Sequence, residues 1–216
     1  MLDLIIKNGK CYIDGELKDV DVAITDKKIQ QIGQISEEAK ETIDVSGHTV
    51  LPGCIDTQTH FREPGSTDTE DLHSGSRAAI AGGITSVFEM PNTNPPTSNK
   101  KEFQRKLDLA KNRMYCNYAF YFGATADNAD DLASLKDLEG CCGIKLFAGS
   151  STGNLLVAEE DDIDKVFQNA SKVVAVHSED EAILKINKKL IKHGDVHTHP
   201  VWRSAECAIS TTRRIV

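Results

Sequence analysis

Aromatic side chains are scarce in this 216-residue chain, at 6% with a single tryptophan. That scarcity argues against a stacking platform for single-stranded nucleic acid. Positive charge is not in excess either: 25 Lys and Arg face 33 Asp and Glu, for a formal net charge of −8. Such a balance disfavours nucleic-acid backbones and anionic membrane surfaces as partners. It leaves room for an anionic small molecule in a locally positive pocket. No stretch approaches the roughly 20 apolar residues that span a bilayer. The opening MLDLIIKNGK has no basic n-region, and its apolar run is too short for a signal peptide. A cytoplasmic protein without nucleic-acid or membrane partners is expected. The six cysteines (Cys11, Cys54, Cys116, Cys141, Cys142 and Cys207) form no CxxC pair. A bridge between the adjacent Cys141 and Cys142 would be strained, so reduced and mostly buried thiols are expected. Internal repeats and low-complexity segments are also missing.

What is present divides into two rhythms. Residues 1–47 show β-branched alternation broken by Gly and Asp, in LDLIIKNG, DVDVAITDKKIQQIG and ETIDVSGH, and predict a small β unit. From residue 48, strand-like and helix-like segments alternate. The strand-like runs are HTVLPGCID, ITSVFEM, YCNYAFYFGAT, CCGIKLFAG and KVVAVH. Between them, DLHSGSRAAIAGG reads as a helix ending on glycines. KKEFQRKLDLAKNRM is amphipathic, with Phe103, Leu107, Ala110 and Met114 on one face. DNADDLASLKDLEG reads as a helix capped by Asp127 or Asn128 and stopped at Gly140. EEDDIDKVFQNAS points Ile163, Val166, Phe167 and Ala170 inward. EDEAILKINKKLIKHG is the fifth helix, and RSAECAISTTRRIV is a further helical stretch with no stop signal. Strand–helix alternation implies βαβ units and a parallel sheet. Five units without a GxGxxG after the first strand favour a β/α barrel over a dinucleotide-binding fold. Residues 48–216 are therefore expected to be the first five to six units of a (β/α)8 barrel that is incomplete in this chain, with residues 1–47 as a separate small β unit.

In such a barrel, functional side chains stand at the C-terminal ends of strands. The first strand leads into Gln58, His60 and Arg62, which simple alternation would aim to one side; a solvated loop is the plainer alternative. The second ends in Glu89-Met90-Pro91-Asn92 and a proline-rich turn. The fourth holds Lys145 between Ile144 and Leu146. A lysine in an apolar strand is either snorkelling or functional, since lysine is seldom buried without a partner or a modification. One modification is reaction with carbon dioxide to a carbamate, an anionic oxygen ligand for metal ions. The fifth strand ends in His177, suited to metal binding as a neutral imidazole. His60, Lys145 and His177 together are a stronger signal than any one of them. His197 and His199 resemble a metal pair but fall in a loop and are read as outside the site. His48, His73 and His193 are read as surface or structural.

The segments GCIDTQTHFREPG, FEMPNTNPPT, GIKLFAGSSTGNLLV and AVHSED resemble, in order and spacing, the signatures of dihydroorotases in the amidohydrolase superfamily. The resemblance runs through the whole chain and covers the first half of that family's usual architecture, a (β/α)8 amidohydrolase barrel with a small β-sandwich, of which residues 1–47 would be the N-terminal portion. It implies a metal-dependent, reversible hydrolysis of dihydroorotate to N-carbamoyl-aspartate, in pyrimidine biosynthesis. It implies one or two Zn2+ ions held by His60, a carboxylated Lys145 and His177, with Gln58 as a further candidate ligand, and Arg62 and Asn92 on the substrate carboxylate. A homo-oligomer is implied for the full-length form. Two departures stand out. Gln58-Thr59-His60 replaces the usual His-x-His, and an amide oxygen is a weaker zinc ligand than imidazole. The family's sixth-strand His and its proton-shuttling Asp would lie beyond Val216. No catalytic acid or base is therefore assigned within these residues, and the 216 residues alone are expected to be inactive. An allantoinase or hydantoinase, and a non-catalytic dihydroorotase-like structural partner, are the alternatives.

Overall fold

The structure is a computed structural model, and it describes residues 1–151 and 154–216. The chain falls into two compact units, Met1–Gly53 and Cys54–Val216.

The first unit is all β. Its strands are β1 (Leu2–Lys7), β2 (Lys10–Ile13), β3 (Glu16–Asp19), β4 (Asp21–Thr25), β5 (Lys28–Gly33), β6 (Ala39–Asp44) and β7 (Thr49–Val50). One sheet has the order β5-β4-β1-β6, and the other β3-β2-β7. Both tight hairpins turn on two residues with positive φ, Asp14-Gly15 and Asp26-Lys27. This is the left-handed pairing whose twist matches two-residue β-hairpins. Ile5, Ala23 and Ile35 form the small core.

Thr49–Val50, expected to open the first barrel strand, instead pairs in parallel with β2. The expected run HTVLPGCID is cut at Pro52-Gly53, because proline cannot donate to a ladder. The boundary between the units accordingly falls at Gly53 rather than at residue 47.

The second unit carries five strands, β8 (Cys54–Thr59), β9 (Ile84–Glu89), β10 (Asn117–Gly123), β11 (Cys141–Phe147) and β12 (Val174–His177). They form one sheet in the order β12-β11-β10-β9-β8, and every neighbouring pair is parallel. Consecutive strands lying side by side, each followed by a helical crossover, are the arrangement of a β/α barrel, here as a curled half-barrel. The helices are α1 (Leu72–Ala81), α2 (Lys100–Ala110), α3 (Glu160–Asn169), α4 (Glu181–Asn187), α5 (His199–Trp202) and α6 (Ala205–Ile215). Asp71 and Ser74 close a reciprocal capping box on α1, and the Asn99 side chain caps α2; each satisfies an otherwise unpaired N–H.

The core lies between sheet and helices. Val87, Phe120, Phe122, Ile144 and Leu146 of the strands meet Leu72, Phe103, Leu132 and Val166 of the crossovers. Strand side chains alternate, so Lys145 and Phe147 face away from this layer. Val174 and Val176 pack on the layer, which puts His177 on the same face as Lys145.

Three local expectations are corrected. The third crossover is a 3-10 helix, Ala129–Leu135, and Asn128 does not cap it with its side chain. That side chain instead binds the Thr125 N–H at 2.9 Å, the Ser98 carbonyl at 2.8 Å and the Gly123 carbonyl at 2.9 Å. Phe167 is exposed whereas Ile163 and Val166 are buried, since a ten-residue helix presents only a narrow stripe to the sheet. The expected long fifth helix ends at Asn187 and tightens into a 3-10 turn over Lys188–Leu190.

Candidate active site

The strand ends that carry the expected residues are shaped by local chemistry. β8 stops at Thr59, and its ladder is irregular between Asp56 and Thr59. Arg62 adopts a left-handed backbone, with φ 59°. The alternation expected to align Gln58, His60 and Arg62 therefore does not extend past Thr59. Gln58 is exposed, and its N–H donates to Asp56 Oδ1 at 2.9 Å. The loop beyond is anchored from below. Buried Glu63 takes both nitrogens of the Arg113 guanidinium, at 2.8 and 3.2 Å, and accepts from the Leu72 N–H at 2.9 Å.

His60 and Asn92 are brought together. His60 Nδ1 meets Asn92 Oδ1 at 2.9 Å; an amide oxygen only accepts, so Nδ1 carries the proton in this pairing. The strand ends beneath them are stitched, since the Met90 N–H donates to the Thr59 carbonyl at 2.9 Å. Burial, and after it the charges of Arg62 and Lys145, hold the His60 pKa below its usual value, against the Asn92 hydrogen bond that raises it. The imidazole is therefore kept neutral, which is the metal-binding form.

Lys145 is 4% exposed. Among the described residues it has no anionic partner, and its Nζ lies over the Phe147 ring, 4.9 Å from the centroid. Desolvation by burial lowers its pKa to about 8. The His177 ring packs against the same Phe147, with ring centroids 5.9 Å apart. Its Nε2 is 2.6 Å from Glu179 Oε2. Glu179 is in turn in close contact with Arg203, whose second nitrogen donates to the Ser150 carbonyl at 2.8 Å. His199 lies elsewhere, edge-on to Trp202.

Several of these neighbours escaped the sequence reading. Glu89 and Lys106 are both fully buried and form an ion pair. Their signal was available. Lys106 stands three residues after Phe103, on the inward stripe of α2, and Glu89 two residues after Val87, on the helix-facing side of β9. Glu179 and Arg203, 24 residues apart, had no sequence signal that would have joined them.

As a donor set for a metal, the site is lean in carboxylates. Among the described residues, no group of three or more His, Cys, Asp and Glu is arranged to hold an ion. Two imidazoles and a desolvated, unpaired lysine fit a zinc-type ion if the lysine is converted to an anionic oxygen donor.

The model of the amidohydrolase family matches residues 49–211. The chain belongs to the amidohydrolase family. It is 35% identical to a dihydroorotase of Methanosarcina mazei over 99% of its own length and 48% of the relative's. It is 34% identical to an allantoinase of Escherichia coli over 94% of its own length and, again, 48% of the relative's. Its fold superposes on the L-hydantoinase of Arthrobacter aurescens with a TM-score of 0.90 and 26% identity, covering 99% of this chain and 49% of that one. The chain thus spans about half the length of the relatives it matches, and those relatives carry three different names.

Proposed function

We propose that this amidohydrolase chain provides one side of the active site of a cyclic-amide hydrolase, and that the substrate is dihydroorotate, opened reversibly to N-carbamoyl-aspartate in pyrimidine biosynthesis. The observation that carries the choice among the three relatives is Arg62. Its charge acts on His60, so a guanidinium stands beside the neutral imidazole. Guanidinium recognises a carboxylate in two-pronged fashion. Dihydroorotate carries a ring carboxylate, whereas allantoin and unsubstituted hydantoin carry none.

In this reading His60, Lys145 and His177 hold one or two Zn2+ ions, with Gln58 as a weaker further donor. Zinc there would supply Lewis-acid polarisation of the amide carbonyl and a water of lowered pKa. The chain's own residues prepare for this. Lys145, with its pKa near 8, reaches the neutral amine form at mild pH. The lone pair of that neutral amine adds to the carbon of carbon dioxide, and an N–C bond forms as one C–O π pair moves onto oxygen. The nitrogen gives up one proton, and the neutral amine becomes an anionic carbamate. Asn92 fixes His60 with Nδ1 protonated, which directs Nε2 outward as the donor. Arg62, with the donor half of the Asn92 amide, binds and orients the substrate carboxylate.

The test is to assay the natural protein carrying this chain on dihydroorotate, allantoin and hydantoin, with and without Arg62→Met. Dihydroorotate should have the highest kcat/KM, and Arg62→Met should depress that substrate selectively. Turnover of allantoin or hydantoin in preference would refute the assignment. The exposed Gln58 in place of histidine favours a second reading, a non-catalytic partner within a larger assembly. Stoichiometric zinc in the purified protein would reject it.

A further inference from the structure

We propose that the buried pair Glu89–Lys106, behind the sheet, is a positioning device that sets the His60–Asn92 contact on the front. The pair sits where two strand ends meet. Glu89 is the last residue of β9 and lies in register with Thr59 of β8 and Phe120 of β10. Lys106 reaches it from α2, passing over the Phe120 ring. Both side chains are essentially without solvent contact, at 1% and 0% exposure.

Each half of the pair holds one side of the site. The Lys106 ammonium donates to the Met90 carbonyl at 3.0 Å, two residues before Asn92. The Met90 N–H donates to the carbonyl of Thr59, the residue before His60. Among the described residues neither Glu89 oxygen has a partner of full hydrogen-bond geometry. The carboxylate is held by the ion contact with Lys106 and, more weakly, by the Phe61 N–H, on the residue after His60. The pair therefore ties the backbone on both sides of His60 to the turn that carries Asn92.

Burying two charges is costly, and a hydrophobic replacement of similar volume is often no less stable. Fold stability alone is a weak reason for this pair. Orientation is a better one, because the geometry it controls lies at the 2.9 Å contact of His60 Nδ1 with Asn92 Oδ1. Neither Glu89 nor Lys106 touches the site face, so both are positioning residues.

This inference rests on His60 being a functional residue, but its test needs neither metal nor substrate. The tautomer of His60 is read by long-range 15N–1H NMR in the metal-free full chain. The wild-type chain should show Nδ1 protonated. Lys106→Met, and the double variant Glu89→Gln with Lys106→Met, should show a mixed tautomer. The double variant guards against unfolding by an unpaired buried carboxylate. Phe103→Leu, on the same helix and equally buried, should lower the melting temperature and leave the His60 tautomer unchanged. A double variant with the wild-type His60 signal would overturn the proposal. So would a Phe103→Leu variant that shifts His60 as the double variant does, since the effect would then be general loosening. In the same samples Zn2+ affinity should fall about 10- to 100-fold in the double variant, the usual loss when an outer-shell support is removed. A wild-type chain that binds no zinc would sink the cyclic-amide reading while the tautomer data still decide this one.

Discussion

Lysine 145 should destabilise the fold it sits in. Its pKa falls from 10.5 to about 8, and burial is the cause. At 1.36 kcal/mol per pKa unit, the charged form is disfavoured by at most about 3 kcal/mol relative to the unfolded chain. The Phe147 ring beneath Nζ offsets part of the desolvation through a cation–π contact. The sign follows from linkage. Between pH 8 and 10.5 the unfolded chain binds more protons at this site than the folded one, so this contribution to stability rises with pH across that window. The penalty is therefore fully present below pH 8 and gone above 10.5. Lys145→Met keeps the volume and removes the charge. In metal-free, CO2-free buffer the variant should be more stable than the wild type by about 2–3 kcal/mol at pH 7, with the gap closing towards pH 10.5. Urea unfolding at pH 7, 9 and 10.5 measures it. A variant no more stable than wild type at pH 7, or a gap that does not change with pH, would refute the argument. Its expected cost is loss of zinc binding, the trade between stability and function common at functional sites.

Glu63→Ala removes the acceptor of the Leu72 N–H and both oxygens that hold Arg113; stability should fall by about 2–3 kcal/mol, measurable by denaturant titration. Gly149→Ala would place a methyl 2.6 Å from the Glu179 carbonyl oxygen. A backbone atom cannot swing aside, so a loss of about 1–3 kcal/mol is expected, with a changed His177 ring signal in NMR as the sign that Glu179 has moved. Gln58→His should raise zinc affinity by about tenfold, worth about 1.4 kcal/mol, because imidazole is the better donor; chelator competition would show it, and an unchanged Kd would remove Gln58 from the metal site.

The order of the five barrel strands was legible because its signal is periodic. Apolar strand runs such as AFYF and GIKLF alternate with helical stripes such as Phe103–Ala110, and parallel pairing of consecutive strands follows from that rhythm. The end of the first strand was not legible. Proline 52 separates β7 from β8, yet the run around it remains apolar enough to read as one strand, and the left-handed Arg62 breaks an alternation that nothing in the residue types forbids. The residue types at the candidate site could be read because Lys145 and His177 conflict with their apolar strands. The supports could not, because Glu63 with Arg113 and Glu179 with Arg203 are joined only by the folded chain.

Those supports follow a rule set by the strand ends. His60 comes directly after β8, and His177 is the last residue of β12. Past the last ladder bond the sheet no longer fixes the backbone. There, charged side chains from neighbouring segments take over. Arg113 with Glu63, and Lys106 with Glu89, brace the His60 side; Arg203 with Glu179 braces His177. A strand end held by ladder bonds is fixed along the strand but can still rock about it. A bidentate or buried ion contact removes that freedom, and the orientation of an imidazole donor depends on it. In the site proposed above, where His60 and His177 are donors, the charge behind these two strand ends serves the orientation of the imidazoles more than the stability of the sheet.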